Sequence, residues 1–294
     1  MPIPHIRLQS TGFRQYWTIS LFMHLLLFFM LPVSSPAKEV ISITNGSWPP
    51  YLSNKLPHYG FASHVVSEAF ALVGISVEYG FFPWKRSYAY AKAGEDVHGK
   101  TWNGTVIWVY TEERAKDFLY SDPVIIDTEI LFHLKSKPLD WKVVEDLQGK
   151  TIGGTLHTAY PLFEEAEKRG ILKISRGGNY NILFKKLYWR DVDAVPQVKH
   201  VGRYFLNTTL TEKERNQIAY SPTVVQERKY HLLLSKQIPE NIRLLKLFNE
   251  GLQKLRTHGR YDALHKELEQ GKYDMQLSEE ALKIYRITSY QHCK

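Results

Sequence analysis

An α/β fold with a mostly parallel sheet is what this sequence predicts, on three observations. Residues 39–44 (EVISIT) alternate in a β pattern and stop at Asn45-Gly46. Residues 61–73 place Val65, Val66, Ala69, Phe70 and Val73 at helical spacing, with Gly74 as a C-terminal cap. Residues 75–79 then read as a second strand, and 84–93 (WKRSYAYAKA) as a helix ended by Gly94. A β-α-β-α start of this kind belongs to α/β architecture.

Between the first strand and first helix, Trp48-Pro49-Pro50-Tyr51 is an aromatic turn that suits neither helix nor central strand. After the second helix comes GEDVHGKT, residues 94–101, which matches the G-x-x-x-x-G-K-T pattern of a phosphate-binding loop. Such a loop must leave a strand and enter a helix, so that amide groups at the helix start hold the phosphates. Here the order is reversed, because residues 105–110 (TVIWVY) are β formers. An ordinary helix-to-strand loop is therefore expected, and no nucleotide. A second α/β set follows: a short helix and strand within 142–157, helices at 159–169 and 181–188, and a short strand at 193–195. A buried-type strand at 230–234 leads to a helix whose stripe is Leu245, Phe248, Leu252 and Leu255, ended by Gly259.

The segment before the first strand reads as an export signal. Arg7 and Arg14 precede an apolar run over 19–31, followed by small residues with Ser35 and Ala37 at the expected cleavage positions. Residues 1–37 are thus expected to be removed. The 294-residue chain has one cysteine, Cys293, so no internal disulfide can form and no lipoprotein cysteine follows the signal. A periplasmic, monomeric protein resting on its hydrophobic core is expected. The formal charge of +8 becomes +6 without residues 1–37 and is spread along the chain. With no clustered basic tract, nucleic acid is excluded as a partner. Histidines lack metal-ligand spacing, and no hydrolase elbow or zinc-protease helix occurs, so no cofactor or metal is expected.

The stretch 111–123, Thr-Glu-Glu-Arg-Ala-Lys-Asp-Phe-Leu-Tyr-Ser-Asp-Pro, resembles the signature of bacterial periplasmic solute-binding proteins of the polar-amino-acid type, family 3. Further pieces agree in order: Trp48-Pro49-Pro50-Tyr51, Trp84-x-Arg86, Asp146-Leu147-x-Gly149-Lys150, Gly153, and Phe248-Asn249-x-Gly251-Leu252 with Leu255 and Gly259. The resemblance covers roughly residues 39–272. It implies two α/β lobes around a ligand cleft, a two-strand hinge, and delivery of the ligand to an ABC-type membrane permease. On that pattern lobe one is residues 38–127 plus 233–272, lobe two is 128–232, and 273–294 is a tail. The hinge crossings fall near 128–134 and 230–234.

By the same resemblance Arg114 holds the ligand carboxylate, a role its planar guanidinium fork suits. Trp48, Tyr51, Trp84 and Trp108 are candidate cleft walls, Arg86 a second anion contact, and Thr158 and Gln197 contacts from lobe two. In the family, an ammonium is held by a hydroxyl five residues before the arginine and by an acid in lobe two. Val109 and Val198 stand at those positions here. An ammonium facing two valines would be desolvated and unpaired. The expected ligand is an anionic or zwitterionic small molecule with a carboxylate and an apolar or aromatic body, rather than a standard α-amino acid. A dehydratase-like cleft enzyme and a sensor lobe for a signalling partner are the alternatives. For an enzyme, Glu112 and Glu113 are the acids beside Arg114, and on an extended chain only one of them could face the ligand.

Overall fold

The computed structural model describes residues 39–156 and 158–275. The export signal, His157 and Cys293 lie outside the described residues.

One six-stranded sheet runs through the molecule in the order β2-β1-β3-β8-β4-β7. Strands β1 (Glu39–Asn45), β2 (Ile75–Phe81) and β3 (Gly104–Trp108) are parallel, as the βαβ order requires. The two long strands, β4 (Phe118–Leu134) and β8 (Ile218–Ser235), are antiparallel to each other over nearly their whole length. Their one end joins β3; their other end joins β7 (Val195–Val198). A two-stranded unit, β5 (Thr151–Gly154) with β6 (Lys173–Arg176), sits beside β7 through a bridge between Ile152 and Ala194. The sheet thus has two α/β halves joined by the same two strands. This is the two-lobed periplasmic-binding-protein fold.

Each half has its own core. In the first, helices α1 (Phe61–Ala71) and, far along the chain, Asn241–Thr257 cover the sheet with Val65, Val66, Ala69, Phe70, Phe248, Leu252 and Leu255, all almost fully buried. Gly251 lets these helices touch: a methyl group there would come within 2.0 Å of the Ala69 carbonyl oxygen. The second half is packed around Phe163, Leu147 and Ile152, and around Phe132, Phe184 and Leu187.

Helix α2 (Trp84–Ala93) spans the expected residues and ends at Gly94, whose φ of 83° glycine adopts without a Cβ clash. The GEDVHGKT loop does leave this helix and lead into β3. Its amides already have an anion. The Asp96 carboxylate accepts from the amides of His98 (2.9 Å) and Lys100 (3.1 Å) and from the Trp102 indole (3.0 Å).

Four details differ from the sequence reading. The six-stranded sheet is mixed rather than mostly parallel, because the long strands pair antiparallel with each other, with β3 and with β7. Glu112 to Asp117 form a short helix, α3, not extended chain, with Thr111 as its N-cap. The argument that Glu112 and Glu113 point opposite ways therefore fails; both are exposed on this helix. The strand read at 230–234 is the end of an 18-residue strand. And Tyr273, placed in the tail, is 2% exposed and hydrogen-bonded to His64 at 2.8 Å. The remaining helices are α4 (Pro161–Lys168), α5 (Tyr180–Trp189), α6 (Lys199–Thr209), α7 (Glu212–Arg215), α8 (Asn241–Thr257) and α9 (Arg260–Glu269). Among the described residues no helix is long and apolar enough to cross a membrane, and no His/Cys/Asp/Glu group could hold a metal ion.

Candidate functional site

A cavity of about 390 Å³ opens where the two halves of the sheet meet, a size ordinary for a small-molecule site. Of the residues singled out in the sequence, Trp48, Trp84, Trp108, Arg114, Thr158 and Gln197 line it. A second hollow of about 380 Å³ shares Trp84, Trp108 and Arg114 and continues past Tyr88 and Lys85.

The aromatic wall is built by close backbone approach. Gly46 lies against the Trp84 ring, and a methyl group there would fall 2.2 Å from that ring. Trp84 meets Trp108 edge to face, with centroids 5.4 Å apart. Trp108 is turned by a β-bulge: the β3–β8 register slips between Val106 and Trp108, and Ile107 takes φ = 69°. A β-branched residue in the left-handed region is strained, and here the strain sits in the cavity wall. On the far side Trp48 packs on Tyr230 at 5.2 Å.

Arg114 is half-buried on α3. Its guanidinium lies over Trp108, 4.9 Å from the ring centre, and donates to the Val109 carbonyl at 3.2 Å. Among the described residues it makes no ion pair, although it borders both hollows. A fixed cation with no protein anion is a ready partner for a carboxylate. Val109 and Val198 both border the cavity, as apolar wall.

From the second half come Thr158, Gln197 and Tyr180. The Thr158 hydroxyl receives a hydrogen bond from Thr155 (2.5 Å), and Arg176 holds the loop by donating to the Thr155 and Thr158 carbonyls, both at 3.0 Å. Burial, then the neighbouring Tyr160, pushes the Tyr180 hydroxyl well above the usual tyrosine pKa, so it stays protonated. Gln197 is 4% exposed; its Oε1 accepts from the Val198 amide at 2.7 Å, and its Nε2 has no acceptor.

Two expected site residues are elsewhere. Tyr51 does not reach the cavity. Its turn points inward, the residue is fully buried, and its hydroxyl donates to Asp127 with His200 Nδ1 3.3 Å away. Burial first, and Asp127 second, raise its pKa. Arg86 is exposed on α2 and does not border the cavity, because the helical turn that faces Trp84 inward carries position 86 outward. Conversely, Glu129 and Arg228, from the two long strands, border the cavity and escaped sequence reasoning. Nothing local in the sequence marks them as facing a cavity.

No protein-family model matches the chain, and no curated protein matches it in sequence. Solved structures do resemble it. The second substrate-binding domain of Lactococcus lactis GlnP, in an open conformation, is 18% identical, with 80% of this chain and 97% of that one covered and a TM-score of 0.60. An ancestral arginine-binding protein bound to arginine is 20% identical, covering 79% and 99%, with a TM-score of 0.58. A histidine kinase sensor domain similar to periplasmic binding proteins is 18% identical, covering 80% and 97%, with a TM-score of 0.58. These structures share the fold with this chain.

Proposed function

We propose that this protein is a periplasmic receptor that binds a small carboxylate-bearing solute between its lobes and delivers it to an ABC-type permease. One observation carries the reading: Arg114, stacked on Trp108 and free of protein anions, borders a cavity of ligand size. The carboxylate docks on Arg114, and the apolar body lies against Trp48, Trp84 and Trp108. Thr158 and Gln197 then meet it from the other lobe. The two strands that join the halves are the natural place for bending, so closure buries the ligand and forms the surface a permease reads. Binding rather than catalysis is supported by the site's acids. Glu112 is exposed and borders neither hollow, Glu113 is exposed and borders only the second, and Glu129 is held through one oxygen by Gln226 and Arg228.

The test is melting temperature after unfolding and refolding to strip bound ligand. The panel is keto and aromatic acids, amino acids and their derivatives, short peptides, sugars, and ATP with magnesium. A ligand at 100 times its dissociation constant adds about 2.7 kcal/mol. A shift with carboxylates, lost in Arg114→Ala, is expected; a shift with sugars or ATP alone would refute the reading. The likeness to a histidine kinase sensor domain favours one second reading, a sensor lobe. Uptake of the identified ligand by a deletion strain separates the two: a transport receptor's loss stops uptake, and a sensor's does not.

A further inference from the structure

The valines at 109 and 198 leave the cleft without the acid that the family resemblance expects for an ammonium. The cleft nevertheless contains a carboxylate. Glu129 lies on β4, paired in the ladder directly opposite Val198 on β7. Opposed residues of an antiparallel pair point to the same face, with Cβ atoms about 5 Å apart. The negative charge is therefore present in the same cavity, displaced by one strand.

Its bonding is one-sided. Oε2 accepts from Gln226 Nε2 (2.6 Å), Arg228 Nε (3.1 Å) and Arg228 Nη2 (3.0 Å). Oε1 accepts from no described residue, although the side chain is only 7% exposed. A carboxylate this buried normally uses both oxygens. Beside it in the cavity wall, the buried Gln197 has its unpartnered Nε2. Glu129, with one oxygen that no protein donor reaches, and Gln197, whose buried amide nitrogen lies near the Tyr180 hydroxyl, border one cavity.

We propose that Glu129, with Gln197, forms a second polar subsite that receives an ammonium or amide N–H of the ligand, set further from the carboxylate than in an α-amino acid. This rests on the carboxylate reading of Arg114. The ligand class becomes an ω-amino acid or amino-acid derivative: carboxylate on Arg114, apolar chain or ring against the tryptophans and Val109, N–H donor on Glu129 Oε1. Arg228 offsets much of the Glu129 charge. That suits a single hydrogen-bonding cation or amide, and opposes a bare metal ion, which gathers several anionic ligands.

The test uses skeleton-matched probes by calorimetry on the refolded protein: valerate, norvaline (α-ammonium) and δ-aminovalerate (distal ammonium), then para-toluate against para-aminomethylbenzoate. A distal amine is expected to tighten binding at least about tenfold over its matched acid, while norvaline gains nothing over valerate. Glu129→Gln keeps the shape but loses the charge; it should abolish the gain of each distal amine over its matched acid, measured within the variant. If carboxylates bind but neither distal amine gains over its parent, or Glu129→Gln leaves the gain intact, the subsite is refuted and the receptor reading stands. If no carboxylate binds at about 50 mM, the Arg114 reading fails and the subsite with it. The wild-type comparison decides the matter even if the variant fails to fold.

Discussion

Arg114 and Arg228 border one cavity and differ in what they do with their charge. Arg228, from the middle of a long strand, is bound to Glu129 through two nitrogens. Arg114, on a three-residue-deep turn of helix after a bulged strand, has only a carbonyl and an aromatic face. Both arginines are half-buried, and what differs is the partner: Arg228 neutralises the buried Glu129 carboxylate, while Arg114 lies over an aromatic ring and can wait for a ligand. The difference teaches a general reading of such clefts: paired charges hold the shape, and unpaired ones recognise.

That contrast can be broken by experiment. The largest effect is expected from Arg228→Ala, which leaves Glu129 buried without its cation and should destabilise the protein by about 3 kcal/mol in denaturant unfolding. Were it instead to lose carboxylate affinity at unchanged stability, Arg228 would belong with the recognising group. Arg114→Ala should do the reverse, cutting carboxylate affinity about 100-fold with the unfolding midpoint unchanged; Arg114→Lys, a point charge without the fork, should fall between. Tyr51→Phe removes the buried donor to Asp127 and should cost about 2 kcal/mol of stability while sparing affinity, since Tyr51 lies behind the cavity.

Paired charges far from the cleft sharpen the point through pH. Burial opposes ionisation of Glu68, but hydrogen bonds from His64 and Arg260 outweigh it and hold its carboxyl at about 2 rather than 4.5. Its depressed pKa means the contribution is present above 4.5 and lost as pH falls through about 2. His58, lowered from 6.5 to about 4 by burial and by His64, adds an earlier window: its contribution is present above 6.5 and lost as pH falls through about 4. Melting temperature should therefore decline stepwise on acidification, and Glu68→Gln should diminish the lower step, which Glu269 shares, and lower the His58 pKa further. The smallest effect belongs to Arg86→Ala, exposed and outside the cavity, with a stability change within about 0.5 kcal/mol and no change in ligand affinity.

Much of this organisation was legible in the residues. Helix α2 reads from its spacing and Gly94, because amphipathic period and a left-handed cap are local properties. The direction of the GEDVHGKT loop was equally local. The strand lengths were not: β4 contains Ser121-Asp122-Pro123 and Thr128-Glu129, polar interruptions that local propensity reads as turns, yet pairing with β8 carries the ladder past them through register shifts. Tyr51 was misplaced for a similar reason. A tyrosine in an aromatic turn suits a cleft wall or a core equally, and only the buried Asp127 and His200 beneath it decide for the core.

The sequence by itself determined the order of elements, the α/β class, Arg114 as a cation after the third strand, and the apolar residues at 109 and 198. Periodicity, turn chemistry and side-chain charge travel with the chain and need no partner. Tertiary structure alone decided which charges are free. Arg228 and Glu129 are 99 residues apart, and pairing becomes knowable only when two strands lie side by side at about 5 Å. The same contact that neutralises Arg228 leaves one oxygen of Glu129 without a protein donor, in a residue that borders the same cavity as Arg114, and that juxtaposition is a property of the fold, not of either segment.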